Sequence, residues 1–456
     1  MREVLCFDIG TGGLSAARFD EHLEAREYRE VPWQLPLTAT ILEDAFEALM
    51  NAHRSAPRPA AISISSFMHS FLVTTEDGIP KTPLHTWIDN DSRDGIDTIR
   101  RAIGSEFHQR TGCRMHPMFP VFKLATMKLT AKDRVISPKS FLVQKLTGKF
   151  VDDFGMAAAS GLLNAHSADW DADILRAAQL SSSNLPQLED ASVIVGNSAQ
   201  GVPVVNGSGD GFMANAGSGC ESSRRIAITI GTSAAARQVL PSPKLDDAAG
   251  TFCYRGLLGC ASSNGGNALD WARAEFGISN STEVLGHEIP IFMPWLNGER
   301  SLEWNPDLRP QWHGRTPRNT PAELFRAVLE GVLFNLAQYL EVIESVSGIR
   351  ASEIVLSGNG FLDPAVAPIL AALVSRPTLL PESSGMGTLR GTALYAWRAL
   401  DHDASASMEK LLERAARVTP LDDDHLHSRF SRFKGIRGTG VLIPPSPEFP
   451  ESPRIP

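Results

Sequence analysis

Two stretches carry the reading of the chain: CFDIGTGGLSAARF (residues 6–19) and AITIGTSAAARQ (residues 227–238). Each places an apolar run before Ile-Gly-Thr and a run of small and apolar residues after it. Val4 to Phe7 predict a short strand, Gly10 to Gly13 a turn, and Leu14 to Phe19 the returning strand. Ile226 to Ile230 lead in the same way into Gly231-Thr232-Ser233, and Ala234 to Leu240 leave it. Turns built of Gly, Thr and Ser let backbone N–H groups converge on an anion, and the hydroxyls of Thr11, Thr232 and Ser233 add donors. A plain hairpin explains either copy alone. Two matched copies a domain's length apart point to one shared ligand.

A dinucleotide fold fits less well. GTGGLS from Gly10 departs from G-x-G-x-x-G and leads into a strand, and GDGFMA from Gly209 lacks the acidic residue expected about twenty positions later. Composition narrows the field further. The 456 residues suit two or three domains, and 43% hydrophobic with 21% charged residues is ordinary for a soluble globular chain. A net charge of −9 without a basic tract argues against a nucleic-acid partner. Five cysteines without a C-x-x-C pair predict a reduced, cytoplasmic setting and no structural zinc. The start lacks a signal-peptide pattern, and no apolar run is long enough to span a membrane.

Further along, Ala61 to Ser65 and Phe71 to Thr75 alternate as strands, and residues 92–145 are mainly helical in pattern. The clearest helix follows NTPAELF: Thr320 caps it, Pro321 suits its first position, Glu323 completes a capping box and Gly348 ends it. Leu324, Val328, Val332, Leu336, Leu340 and Ile343 form one stripe, so the helix is expected in the core. Ile354 to Leu356 form a strand that runs into SGNG, with Asp363 and Pro364 opening another helix. The proline-rich end is expected to be an extended tail.

Phosphoryl transfer needs a phosphate cradle, a carboxylate for a metal and a base for the attacking hydroxyl. Asp8, beside the first turn, is placed to hold Mg2+, chiefly through water. Asp210, in NGSGDGF, sits where it can accept a substrate proton or cap a helix. SSFMHSF and TWIDNDSRD bring His69, Trp87, Asp89, Asn90 and Arg93, a polar and aromatic set suited to a polyhydroxylated ligand.

Taken together, these residues resemble the FGGY carbohydrate kinases of the sugar kinase, actin and Hsp70 superfamily, over nearly the whole chain from Asp8 to the helix at Gly391. The resemblance implies an α/β fold of two ribonuclease-H-like (actin-like ATPase) domains around a central nucleotide cleft. It implies an N-terminal domain at 1–220, a C-terminal domain at 221–436 and a tail at 437–456. Asp8, Thr11 and Gly12 fall on the first phosphate motif, and Gly231 and Thr232 on the second. Asp210 falls on the catalytic base, Met68 and His69 on a substrate-contacting dipeptide, and Trp87 and Asp89 on a W-x-D element. Gly266, Gly358, Asn359 and Gly360 fall where the family's backbone approaches the nucleotide, and PWLNGERS (residues 294–301) is similar to its P-x-L-x-G-E-R segment.

FMHSF, HQRTGCRMHP, MAAASGLLN, GDGFMANAGSGC and ITIGTSAAAR are most like the family's gluconokinases. The implied reaction is ATP-dependent phosphorylation of gluconate to 6-phosphogluconate, with Arg93, Lys123 and His116 as candidate cations for the carboxylate. A homodimer is compatible with this reading. A xylulokinase or other pentulose or polyol kinase is the alternative of the same class. One departure motivates a different class: Ser15 stands where the family has Lys or Arg, with Arg18 the nearest cation. A catalytically weakened sugar- and nucleotide-binding sensor would carry such a change.

Overall fold

The computed structural model describes residues 2–89, 91–278 and 288–438. Asn90 and residues 439–456 of the expected tail lie outside the described residues, while Arg437 and Gly438, expected to open that tail, end a helix instead. The first hairpin is β1 (Glu3–Ile9) and β2 (Gly13–Asp20), continued by β3 (Ala25–Pro32), β4 (Ile62–Ser66), β5 (Ile194–Asn197) and β6 (Pro203–Val205). They form one sheet in the order β3-β2-β1-β4-β6-β5. β1 runs antiparallel to β2 and parallel to β4.

The second hairpin, β7 (Arg225–Ile230) and β8 (Ala234–Val239), builds another sheet with β9 (Phe252–Tyr254), β10 (Leu257–Ser262), β11 (Glu353–Ser357), β12 (Thr378–Leu380) and β13 (Ala416–Arg417). Its order is β9-β10-β8-β7-β11-β12-β13. β7 is antiparallel to β8 and parallel to β11. The run β3-β2-β1-β4-β6 and the run β10-β8-β7-β11-β12 therefore share one topology: three antiparallel strands followed by two parallel ones. The repeated Ile-Gly-Thr marks the same hairpin in each.

Helices cover and connect the sheets. α1 (Asp210–Gly217) follows the last parallel strand of the first sheet, and α2 (Gly266–Phe276) abuts the second hairpin. α3 (Pro321–Ser347) has the cap read from sequence: Thr320 Oγ1 accepts from Glu323 N, Glu323 Oε2 accepts from Thr320 N, and Gly348 closes the helix at φ 70°. Its expected stripe is buried, and the burial extends around most of the circumference, because strands, α2 and a C-terminal helix enclose it. Each such aliphatic side chain contributes about 1.5–3 kcal/mol on leaving water.

α4 (Gly387–Ala399) lies far along the chain yet packs on the first sheet, where Leu394 and Trp397 join Val4, Cys6 and Phe19 in one cluster. Trp397 Nε1 donates to Asp20 O at 2.9 Å. α1 and α4 cross at glycines: a Cβ on Gly217 would lie 1.8 Å from Gly387 O, and one on Gly391 would lie 1.9 Å from Met213 O. The last described element, α5 (Leu426–Gly438), stacks Phe430 and Phe433 against Phe334 of α3.

One local expectation is corrected. SGNG does not lead straight into a helix at Asp363 and Pro364; a 3-10 turn spans Asn359–Leu362, and the helix begins at Val366 after Ala365. Asp363 instead turns its carboxylate to Ala365 N and to Arg273.

Candidate active site

The two hairpin turns are held by their own backbone. Gly10 N donates to Gly13 O at 2.9 Å, and Gly231 N to Ser233 O at 2.9 Å. Trp33 braces the first turn, donating its Nε1 to Thr11 O and its backbone N to Gly12 O, each at 3.0 Å. The start of α2 braces the second, with Gly266 N donating to Gly231 O at 2.7 Å. Gly358 takes φ 96°, and a Cβ there would lie 2.3 Å from Ile230 O, so only glycine fits beside the hairpin.

A cavity of about 700 Å³ opens between the second turn, α2 and the 3-10 turn. Gly231, Thr232, Gly266, Asn359 and Gly360 line it, as read from sequence, together with Asp270 and Arg273. Arg273 donates to both Asp270 and Asp363 at 2.8 Å, so its charge is matched within the protein. A second cavity, of about 260 Å³, shares Gly231, Thr232 and Asn359 with the first. Thr11, Met68, His69, Trp87, Asp210 and Gly358 line it. Gly12 lines neither, although its turn flanks the second cavity through Thr11.

Each of these side chains is set by its element. Gly209, not Asp210, is the N-cap of α1, so Asp210 is the first helical residue. Its Oδ1 accepts from Gly211 N at 2.7 Å, and burial pushes its carboxyl above the usual range while Arg237 opposes that push. Asp8, at the end of β1, accepts from Ser65 Oγ at 2.8 Å; burial and the nearby Asp210 raise it to about 7. His69 holds φ 61° and places Nδ1 2.7 Å from Ala159 O. Burial lowers it to about 3, so the ring is neutral. Its Nδ1 carries the proton to that carbonyl, and Nε2 is left as an acceptor.

The cavity also contains groups the sequence reading did not assign. Arg237, on β8, has Nε and Nη1 buried without a hydrogen-bond partner among the described residues. A Cβ on Gly211 would stand 3.2 Å from its Nε, which places the guanidinium beside Asp210. Arg300 donates Nη2 to Ser262 O at 2.7 Å, stacks over Trp87 at 5.4 Å from the ring centroid, and leaves Nε without a partner among the described residues. Tyr254 and Trp304 complete the wall. A signal for Arg237 was present: it is the lone charged residue in AAAR, two positions after Ala235 and so on the same strand face.

The other expected cations are elsewhere. Arg93 is exposed and pairs with Asp307 at 3.4 Å. Lys123 is buried but spends its Nζ on the carbonyls of Thr86 and Met118. His116 lies edge-on to Trp304, behind the wall, and burial lowers it to about 3. Asp89 does not line either cavity either; it is exposed, and its Oδ2 accepts from Thr86 N at 2.7 Å, bracing the turn that carries Trp87. Arg18 cannot replace a cation at Ser15, because it is buried against Glu3 and Pro57 O, toward the other end of the hairpin. Ser15 itself hydrogen-bonds Tyr28, whose hydroxyl donates to Glu30.

A nucleotide-sized cleft that shares residues with an acceptor pocket walled by both sheets is the architecture of a carbohydrate kinase. The chain belongs to the FGGY family of carbohydrate kinases: the family's N-terminal domain matches residues 4–217 and its C-terminal domain residues 226–400. The fold is thus the two-domain, actin-like α/β fold, and membership implies ATP as the phosphoryl donor. Gluconokinase of Bacillus subtilis (strain 168) is 28% identical, covering 92% of each chain. Xylulose kinase of Escherichia coli (strain K12) is also 28% identical, covering 87% of this chain and 86% of its own. Crystal structures of a ligand-bound xylulose kinase and of gluconate kinase, both from Lactobacillus acidophilus, superpose with TM-scores of 0.86 and 0.85 at 25% identity. Each covers 96% of this chain and 98% of its own.

Proposed function

We propose that the protein is an ATP-dependent sugar-acid kinase whose substrate is gluconate. The observation that carries this reading is the charge of the smaller cavity. Arg237 and Arg300 are its cations and Asp210 its one anion among the lining residues. A neutral ketose would leave buried guanidinium donors without a partner, which is unfavourable. A carboxylate supplies the missing charge and takes charge-assisted hydrogen bonds. The likeness to gluconokinase sequences supports the same choice.

In this reading Asp210 accepts the proton of the attacking hydroxyl as its oxygen bonds to the terminal phosphorus of ATP and ADP departs. His69 Nε2 accepts a sugar hydroxyl, and Trp87 offers a flat face to the carbon chain. Thr11, Gly231 and Thr232 cradle phosphates from the two turns. Asp8 lines neither cavity, standing at the end of β1 near Asp210, so it would hold Mg2+ mainly through water and phosphate oxygens; no cluster of three or more metal-ligating side chains occurs among the described residues. When bound, Mg2+ would neutralise phosphate charge.

A second reading keeps one specific observation: neither Ser15 nor Arg18 supplies a cation at the first turn, which favours the weakened sensor. A coupled ADP-release assay with Mg-ATP against gluconate, xylulose, glycerol and no sugar separates the two. Turnover with gluconate is expected. Turnover confined to xylulose would keep the kinase and change its substrate, whereas retained ATP binding without turnover on any sugar would favour the sensor.

A further inference from the structure

The segment 299–305 lends Arg300 and Trp304 to the smaller cavity, while residues 299, 301 and 303 are bonded to the helices on the opposite side. Glu299 is buried and accepts from Asn335 Nδ2 of α3 at 2.8 Å. Ser301 O accepts from the Tyr339 hydroxyl, also of α3, at 2.7 Å. That same carbonyl accepts a second bond, at 3.0 Å, from Arg437 Nη2. Arg437 lies in the last turn of α5, and its side chain is only 4% exposed. Its guanidinium pairs with Glu303 through two nitrogens, donates to Asn335 Oδ1, and stands 5.7 Å from the centroid of the Tyr339 ring. One cation thus joins residues 301 and 303 to Asn335, Gln338 and Tyr339 of α3, directly behind the loop that walls the cavity.

We propose that Arg437 is a positioning residue for sugar recognition: α5, none of whose residues lines either cavity, fixes the loop that presents Arg300 and Trp304. Contacts at 299, 301 and 303 hold the backbone from one side, so residues 300 and 304 keep fixed directions on the other. Without Arg437, Tyr339 would still hold Ser301 O and Asn335 would still hold Glu299, but Glu303 would lose its ion-pair partner and residues 301 and 303 their tie to α5. Loosening the loop by an ångström blurs the placement of Arg300, and binding sites depend on such support. None of residues 299–305 lines the larger cavity, so the nucleotide contacts there should not respond.

This inference rests on the smaller cavity being the sugar site. Arg437→Met in the full chain is expected to raise the sugar KM about tenfold while the ATP KM stays within about twofold, and Arg437→Lys should recover part of the loss. Glu303→Gln removes the same ion pair from its more exposed side, and is expected to shift the sugar KM in the same direction even if Arg437→Met folds poorly. A fall in kcat and melting temperature with both KM values unchanged would overturn the positioning role. Hydrogen exchange reads the loop without any substrate: faster exchange at 299–305 but not at 231–233 in Glu303→Gln supports the coupling, and unchanged exchange sinks it. Should wild type respond to no sugar at all, the sugar reading fails, while the exchange result still decides whether Arg437 holds the loop.

Discussion

Asp210 opens α1 after the first sheet, Arg237 lies on β8 of the second, and the two meet in one cavity, so their substitutions should fail in different ways. Asp210→Asn keeps an oxygen for Gly211 N and nearly the same shape, so the protein should fold and bind nucleotide. Its kcat is expected to fall by about 10²–10⁴, the usual contribution of a positioned base. Activity within a few-fold of wild type in a coupled assay would remove Asp210 from proton transfer. Arg237→Met keeps the apolar stem and removes the charge. If the guanidinium answers a carboxylate, kcat/KM for gluconate should drop about 10²-fold and that for a neutral sugar much less. Equal losses on both would instead tie Arg237 to the phosphoryl chemistry beside Asp210. At this scale the sequence was only half legible. Met68, His69, Trp87 and Asp210 carry their chemistry in local motifs, and the cavity gathers them. Arg237 and Arg300 face the cavity opposite Met68, His69, Trp87 and Asp210, residues distant in the chain, and nothing local to AAAR or GERS reports what stands across the cleft.

At the scale of elements, hairpins and caps are written within a few residues of where they act. The two Ile-Gly-Thr turns and the Thr320–Glu323 capping box could therefore be read directly, and the structure contains them. The α1–α4 crossing could not, because its glycines are far apart in the chain and each alone looks like an ordinary small residue in a helix. Its tightness makes a clear prediction. A methyl at 391 would meet Met213 O at 1.9 Å, so Gly391→Ala must push the helices apart. Overpacking of this kind costs about 1–3 kcal/mol, seen as a lower urea midpoint. Because Asp210 opens α1, the same shift should also lower kcat. Gly435→Ala is the matched control: nothing lies within 4 Å of its new methyl, and a helical Gly→Ala should stabilise by about 0.4–1 kcal/mol. If both variants behaved alike, the crossing would not be the tight joint its geometry describes.

At the scale of the whole molecule, the two halves meet at that crossing and again around the acceptor cavity. There Arg114 donates to the carbonyls of Thr251, Asp247 and Asp246 at 2.7, 2.8 and 2.6 Å. Buried histidines cluster near this second seam. Burial lowers His69 and His116 to about 3 and His108 to about 4, against an ordinary value of 6.5. As pH falls through 6.5, the unfolded chain takes up protons on these rings and the folded chain does not. Their contribution to stability is therefore complete above about 6.5 and is lost as pH falls toward the folded values. Asp8 and Glu299, each raised to about 7, act in the opposite sense: the folded chain keeps protons there that the unfolded chain releases, so their contribution is lost as pH rises toward 7. The net slope is a difference, and a single histidine has to be isolated by substitution. His108→Asn can keep the bond to Cys113 O and removes the titration. At pH 7.5 the variant should be the less stable protein, through lost packing. By pH 5.0 the gap in urea-unfolding free energy should narrow by up to about 2 kcal/mol, since only wild type still carries the ring whose protonation favours the unfolded chain. A gap that stayed constant or widened would mean that His108 is charged in the folded protein, and the ground beside Arg114 would then hold a second cation where burial argues for a neutral ring.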